Sequence, residues 1–161
     1  MLGVLIVIIV VFGFSLLVGA PFVPTHKASV EPAMRLLALD KRDLLLELGA
    51  GDGRLAMAAA NRGAAVLAIE INPFLFWLLK WRSRSQARIQ VVFGDFRRLK
   101  WPRETTAVYV FADGKTMDWL AKALKNVKRP IRIVSHGFSL PGHEPTKIDG
   151  ALLRYDIKPV A

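Results

Sequence analysis

The sequence predicts an α/β fold: a mostly parallel sheet with helices on both faces and an antiparallel hairpin at one edge. Three observations predict it. Short apolar runs alternate with helix-forming stretches from residue 43 onward, the pattern of strands joined by crossover helices. Three of those runs finish in an acid, at Glu47, Glu70 and Asp95. The first is followed by glycines at alternate positions, Gly49, Gly51 and Gly53, and then by a run of small residues.

Each element has a local reason. Residues 31–39 (EPAMRLLAL) read as a short amphipathic helix with Pro32 in its first turn, where a missing N–H costs nothing. Residues 43–47 form the first strand, and 54–61 a helix stopped by Gly63. Residues 65–69 are the second strand. Asn72 then caps a helix with Pro73 as its first residue. The body of that helix, 74–81 (FLFWLLKW), is apolar on nearly every face. It reads either as a core helix or as one that sets Phe76, Trp77 or Trp81 at a bilayer interface, where tryptophan is enriched. Strands follow at 89–93 and 107–111, a helix at 117–125 and a fifth strand at 131–135. Residues 147–149 and 152–157, joined around Gly150, make the closing hairpin.

With 161 residues the chain holds one such domain. It contains no cysteine, which excludes disulfides, thiolate metal sites and a cysteine nucleophile. His26, His136 and His143 lack the paired spacing of a zinc site, so no metal is expected. Residues 1–20 carry no charge and one hydroxyl, Ser15. A stretch of roughly 20 apolar residues suffices to cross a bilayer. A transmembrane helix is therefore expected at 1–20, a linker with the amphipathic helix at 21–42 and the folded domain at 43–161. A signal peptide is the rival reading, but no basic segment precedes the apolar run; a buried core helix is the third. All 23 Lys and Arg lie after that run. The positive-inside tendency then makes this a single-pass membrane protein with its domain in the cytoplasm. Net charge is +10, with basic clusters around residues 80–88, 97–103 and 122–132. These read as solvated surface, as a face for anionic lipid or as a nucleic-acid footprint. The apolar leader favours lipid, and no nucleic-acid partner is expected.

The strand tips suit the parts of an adenosine. A dinucleotide fingerprint would need glycine at Arg54, so that ligand is disfavoured. A carboxylate at Glu70 can accept both ribose hydroxyls, with Asn72 close behind. Asp95 can accept the exocyclic amine of adenine, and Phe96 can stack on its ring. Gly49, Ala50, Gly51, Asp52 and Gly53 form the turn that a ligand approaches, and Glu47 or Asp52 can hold an amino group.

In the order ELGAGDG, AIEINP and VVFGD, the chain resembles class I S-adenosylmethionine-dependent methyltransferases, which have a Rossmann-like fold. Finer elements narrow the likeness: PFVPT at 21–25, GDGR at 51–54, the Glu70, Asn72, Pro73 sequence, and Ser135, His136, Gly137 and Phe138 with Pro141 close behind. Together they look like the small membrane-anchored protein-lysine methyltransferases that act on the ATP synthase c-subunit and the adenine nucleotide translocase. The resemblance runs from about Pro21 to the C-terminus. It implies S-adenosylmethionine as cofactor, a lysine-bearing and membrane-associated protein as partner, and Pro24 and Thr25 closing over the cofactor. One departure stands out. That group tends to carry a Leu-Pro-Pro-like segment after the fourth strand, where this chain has Ala112, Asp113 and Gly114.

Methyl transfer needs alignment and dryness more than a base, because the cofactor carries its own leaving group. A lysine acceptor must still lose a proton. Asp113 and His136, after the fourth and fifth strands, stand where that acceptor would sit; Asp113 reads equally as a helix cap. Alternatives remain a methyltransferase of lipids or small amphiphiles and a non-catalytic cofactor-binding scaffold. Glu70→Ala is expected to abolish cofactor binding and leave the fold intact.

Overall fold

The computed structural model describes residues 27–159. Helix α1 (Lys27–Leu37) leads into β1 (Leu44–Leu48), α2 (Arg54–Asn61), β2 (Ala65–Glu70), α3 (Pro73–Arg82) and β3 (Ile89–Phe93). Then come β4 (Ala107–Val110), α4 (Gly114–Leu124), β5 (Ile131–His136), β6 (Lys147–Asp149) and β7 (Leu152–Ile157).

All seven strands form one sheet in the order β3-β2-β1-β4-β5-β7-β6. β1 to β5 pair in parallel, and β7 and β6 join antiparallel at one edge. Apolar side chains alternate to the two faces of the strands. On one face Leu45, Val66, Ala68, Tyr109 and Val134 pack under α1 and α2. On the other, Leu46, Leu48, Val108, Val110 and Ile133 pack under Met117, Leu120 and Leu124 of α4. This burial on both faces explains why β4 is uniformly apolar rather than alternating. The alanines of α2, Ala56, Ala59 and Ala60, let that helix lie close on the sheet.

Chain order places the site. From β1 the chain moves outward to β2 and β3, then returns to set β4 on the other side of β1. The reversal opens a crevice beyond the carboxyl ends of β1 and β4.

The structure moves several boundaries. α1 begins at Lys27, so Pro32 lies inside the helix rather than in its first turn. Its buried face, Ala33, Met34, Leu36 and Leu37, holds the helix despite the missing N–H. α4 starts at Gly114 because the Asp113 carboxylate accepts from the Thr116 amide. β5 extends through His136, where Leu152 still pairs with it. α3 is less buried than a core helix. Leu75 and Leu79 face inward, while Phe74, Trp77, Leu78 and Trp81 are exposed. These four stand at i, i+3, i+4 and i+7, one stripe along the helix.

The single-pass membrane placement, with its cytoplasmic domain, is corrected. Among the described residues no helix is long and apolar enough to cross a membrane. The longest, α1 and α4, have 11 residues each. At 1.5 Å per residue they span about 16 Å against a hydrocarbon core of about 30 Å. The apolar stretch at 1–20, and Pro24 and Thr25, lie outside the described residues.

Candidate active site

The glycine turn joins β1 to α2 and is sewn to the tip of β2. Gly49, Gly51 and Gly53 all have positive φ, at 76°, 58° and 78°. Side chains with a Cβ resist that conformation. The amides of Gly49 and Ala50 both donate to the Ile69 carbonyl, at 3.0 and 2.9 Å. The Gly51 amide donates to Glu70 Oε2 at 2.7 Å, and the Asn72 amide to Glu70 Oε1 at 2.8 Å. One buried carboxylate thus bridges the turn after β1 and the loop after β2. The glycines differ in purpose. Among the described residues a Cβ on Gly49 would meet no atom within 4 Å, whereas one on Gly53 would lie 2.0 Å from Leu79 Cδ1. Gly49 serves the backbone conformation; Gly53 serves the contact with α3 as well.

Glu47 is buried at the end of β1, and its Oε2 has no hydrogen-bond partner among the described residues. Burial pushes its carboxyl well above the ordinary carboxylate range, helped by the negative charges of Glu70 and Asp52. Burial also raises Glu70, against the amides of Asn72, Gly51 and Ile71 that hold its charge. Asp52 is already engaged. Its Oδ2 forms an ion pair with Arg54 Nε at 2.8 Å and accepts from Arg82 Nη1 at 2.9 Å.

The raised groups make stability pH-dependent. A carboxyl whose folded pKa lies above its unfolded value favours the fold fully below the unfolded value, and that contribution is lost as pH rises through the folded one. The ligand-free protein is therefore expected to lose thermal stability as pH climbs above the ordinary glutamate range. Glu47→Gln should flatten that slope. Asp95, Asp113 and Asp156, held low by hydrogen bonds, act in the opposite sense on the acid side of their ordinary range. Unfolding midpoints of both proteins across that range check the sign.

Asp95 follows β3, whose end is tied to β2 by the Gly94 amide donating to the Glu70 carbonyl at 3.0 Å. Arg97 grips both Asp95 oxygens through its amide, Nε and Nη2, at 2.8–3.1 Å. The guanidinium holds Asp95 below the usual carboxylate range, and it also feels the charge of Asp113. The Phe96 ring leans on Trp119 of α4, with centroids 5.4 Å apart. Asn72 caps α3, its Oδ1 accepting from the amides of Phe74 and Leu75. Asp113 caps α4 in the same way, with the Thr116 amide at 2.9 Å. His136 stacks on Phe111 at 4.3 Å, the planes 21° apart, and its Nδ1 lies 3.4 Å from the Tyr109 hydroxyl.

Glu47, the glycine turn, Glu70 and Asn72 therefore form one hydrogen-bonded or electrostatically coupled group, with Asp95 attached through the β2 and β3 tips. Asp113 and His136 stand on the neighbouring tips of β4 and β5. On a chain of net charge +10, acids gather at the carboxyl ends of the strands. A buried carboxylate oxygen without a partner among the described residues, beside a second buried carboxylate, fits a ligand with positive charge. An adenosyl sulfonium bearing an α-ammonium group meets that description, with ribose hydroxyls for Glu70 and an exocyclic amine for Asp95. Sequence reasoning missed Arg82, Arg97, Tyr109 and Phe111. Arg97 had a local signal, two residues after Asp95. Tyr109 of β4 and Phe111, one residue past its end, are two positions apart, the spacing of one strand face. Arg82 lies 30 positions from Asp52, and nothing local links the two.

A family model described as the ANTKMT methyltransferase domain matches residues 47–147. The lysine N-methyltransferase of the ATP synthase c-subunit from Homo sapiens is 27% identical over 134 residues, covering 81% of this chain and 57% of the human protein. This chain thus spans little more than half of that relative. A protein-lysine N-methyltransferase of Saccharolobus islandicus is 27% identical over 134 residues, covering 80% of this chain and 83% of its own length. Among solved structures, an RNA methyltransferase from Salinibacter ruber in complex with S-adenosyl-L-homocysteine superposes with a TM-score of 0.78 at 27% identity, over 86% of this chain and 96% of that one.

Proposed function

Since this chain belongs to the ANTKMT methyltransferase domain family, we propose that it is an S-adenosylmethionine-dependent methyltransferase acting on lysine side chains of a protein. The observation that carries this reading is the pair of buried carboxylates, Glu47 and Glu70, around a glycine turn. S-adenosylmethionine supplies a methyl group already activated on a sulfonium, so the protein's task is to bind, align and exclude water.

In this reading Glu47 holds the cofactor's ammonium group. Its oxygen without a partner among the described residues favours it over Asp52, whose Oδ2 two arginines already hold. Glu70 receives the ribose hydroxyls on lone pairs that the Gly51 and Asn72 amides leave open. Gly49, Ala50, Gly51 and Gly53 present backbone. Asp95 accepts from the adenine amine on a lone pair that Arg97 leaves open, Phe96 lies along the ring, and Pro24 and Thr25 close over the cofactor. The acceptor lysine loses its proton to His136, whose ring Phe111 and Tyr109 orient. Asp113, committed to the α4 cap, adds negative charge near the incoming ammonium.

The names of the relatives support a protein acceptor, the ATP synthase c-subunit in the human case. The exposed α3 stripe, with Lys80 lying over Phe76 and Trp77, supports a peripheral contact with anionic lipid headgroups beside that acceptor.

Incubation of the protein with a membrane extract and methyl-labelled cofactor tests the reading. Label recovered as methyl-lysine after protein hydrolysis is the expected result. Label confined to the lipid extract makes the acceptor an amphiphile and overturns the lysine assignment. Cofactor binding without any transfer makes the protein a scaffold.

A further inference from the structure

We propose that Arg82, at the end of α3, is a positioning residue that holds the glycine turn in its cofactor-binding shape through Asp52. The inference rests on the cofactor reading above and adds to it a residue that acts through Asp52.

A turn with three residues at positive φ needs anchors, because glycine gives up much conformational freedom on ordering. Two anchors come from β2: the Ile69 carbonyl and the Glu70 carboxylate, which together accept from Gly49, Ala50 and Gly51. The second half of the turn, Asp52 and Gly53, hangs instead on α3. Arg82 Nη1 donates to the Asp52 carbonyl and to its Oδ2, both at 2.9 Å. One guanidinium nitrogen therefore fixes a side chain and the peptide plane that leads into Gly53. Leu79, three residues earlier on the same helix face, lies where a Gly53 Cβ would stand. α3 thus supports the turn with an apolar contact and a charged one.

The Asp52 carboxylate is 14% exposed and the Arg82 side chain 34%. The pair is partly desolvated, and its bonds are charge-assisted. Arg54 also holds Asp52 Oδ2, but it belongs to the first turn of α2 and moves with the loop. Arg82 joins the loop to a separate helix. Together the two cations leave Glu47 and Glu70 as the buried acids with capacity for a cationic ligand.

The test uses the full chain with S-adenosylhomocysteine as probe. Titration calorimetry, the unfolding midpoint and the kinetic split are read for wild type, Arg82→Ala, Arg82→Lys and Arg82→Gln. Arg82→Ala is expected to raise the Kd about tenfold, the scale of one lost charge-assisted hydrogen bond. Its acceptor KM, and its kcat at saturating cofactor, should stay within about twofold of wild type. Arg82→Lys should recover much of the affinity. Arg84→Ala serves as the control for charge lost from the same helix end, since Arg84 stacks over Trp81 and does not reach the turn. A Kd unchanged in Arg82→Ala, or one raised equally by Arg84→Ala, overturns the proposal. A fall in kcat at saturation with Kd unchanged overturns it too. If Arg82→Ala does not fold, Arg82→Gln decides, because it keeps part of the stem and a polar end but lacks the charge and the length to reach Asp52; unchanged affinity there refutes the role. Failure of wild type to bind the probe would instead overturn the cofactor reading itself.

Discussion

Alanine at Glu70 is expected to abolish measurable binding of S-adenosylmethionine and to destabilise the ligand-free protein. The sequence alone leads to an expected loss of binding with an intact fold. The structure adds the second effect. Glu70 accepts from the Gly51 amide at 2.7 Å and from the Asn72 amide at 2.8 Å, and it is itself buried. Alanine would leave two buried donors without their acceptor, at about 1–3 kcal/mol each. Release of a buried charge offsets part of this, since burial raises the Glu70 carboxyl. The net cost should be about 2–4 kcal/mol, inside the usual stability of a domain this size. The variant should fold, melt earlier and not bind. Glu70→Gln retains one acceptor and should lose less stability. Calorimetry and urea unfolding on the two variants separate the effects; near-normal affinity in Glu70→Ala would remove Glu70 from the site.

Gly53→Ala is expected to be far more disruptive than the same change at Gly49. Its Cβ would lie 2.0 Å from Leu79 Cδ1, and the backbone there sits at φ 78°. Left-handed strain costs about 1–2 kcal/mol, and forcing a methyl into packed space about 1–3 kcal/mol more. Gly49→Ala is the matched control. It has nearly the same φ, 76°, with no atom of the described residues within 4 Å of the added carbon, so it should show the strain alone. Leu79→Ala opens the space that Gly53→Ala needs. The double variant should therefore be more stable than the sum of the two single losses, a coupling that equilibrium unfolding measures directly. Additive losses would show that Leu79 does not limit the turn.

Much of this architecture is legible because it follows from local chemistry. The alternation of strands and helices rests on runs such as LLLEL and AVLAIE, whose side chains must be buried on both faces. The glycine turn rests on φ values that few other residues adopt. The α3 cap is readable from Asn72 and Pro73 because capping acts within one helical turn. Boundaries are less legible. Local rules place Pro32 in a first turn, yet the helix begins upstream of it, where Val30 packs against the core. The apolar α3 reads as core or as interface. The structure divides it, because only one face of a helix can lie on the sheet.

What the string of residues decides is therefore the order of elements, the turn that ends β1 and the acids at three strand tips. These depend on neighbours a few positions apart, where backbone sterics and hydrogen bonding dominate. Tertiary structure alone decides which charges meet. Asp52 pairs with Arg82 across 30 positions, and Glu47 keeps an oxygen without a partner among the described residues. Both outcomes depend on where α3 and the sheet come to rest. A carboxylate's role follows from its partners and its burial, and those exist only once the chain has folded.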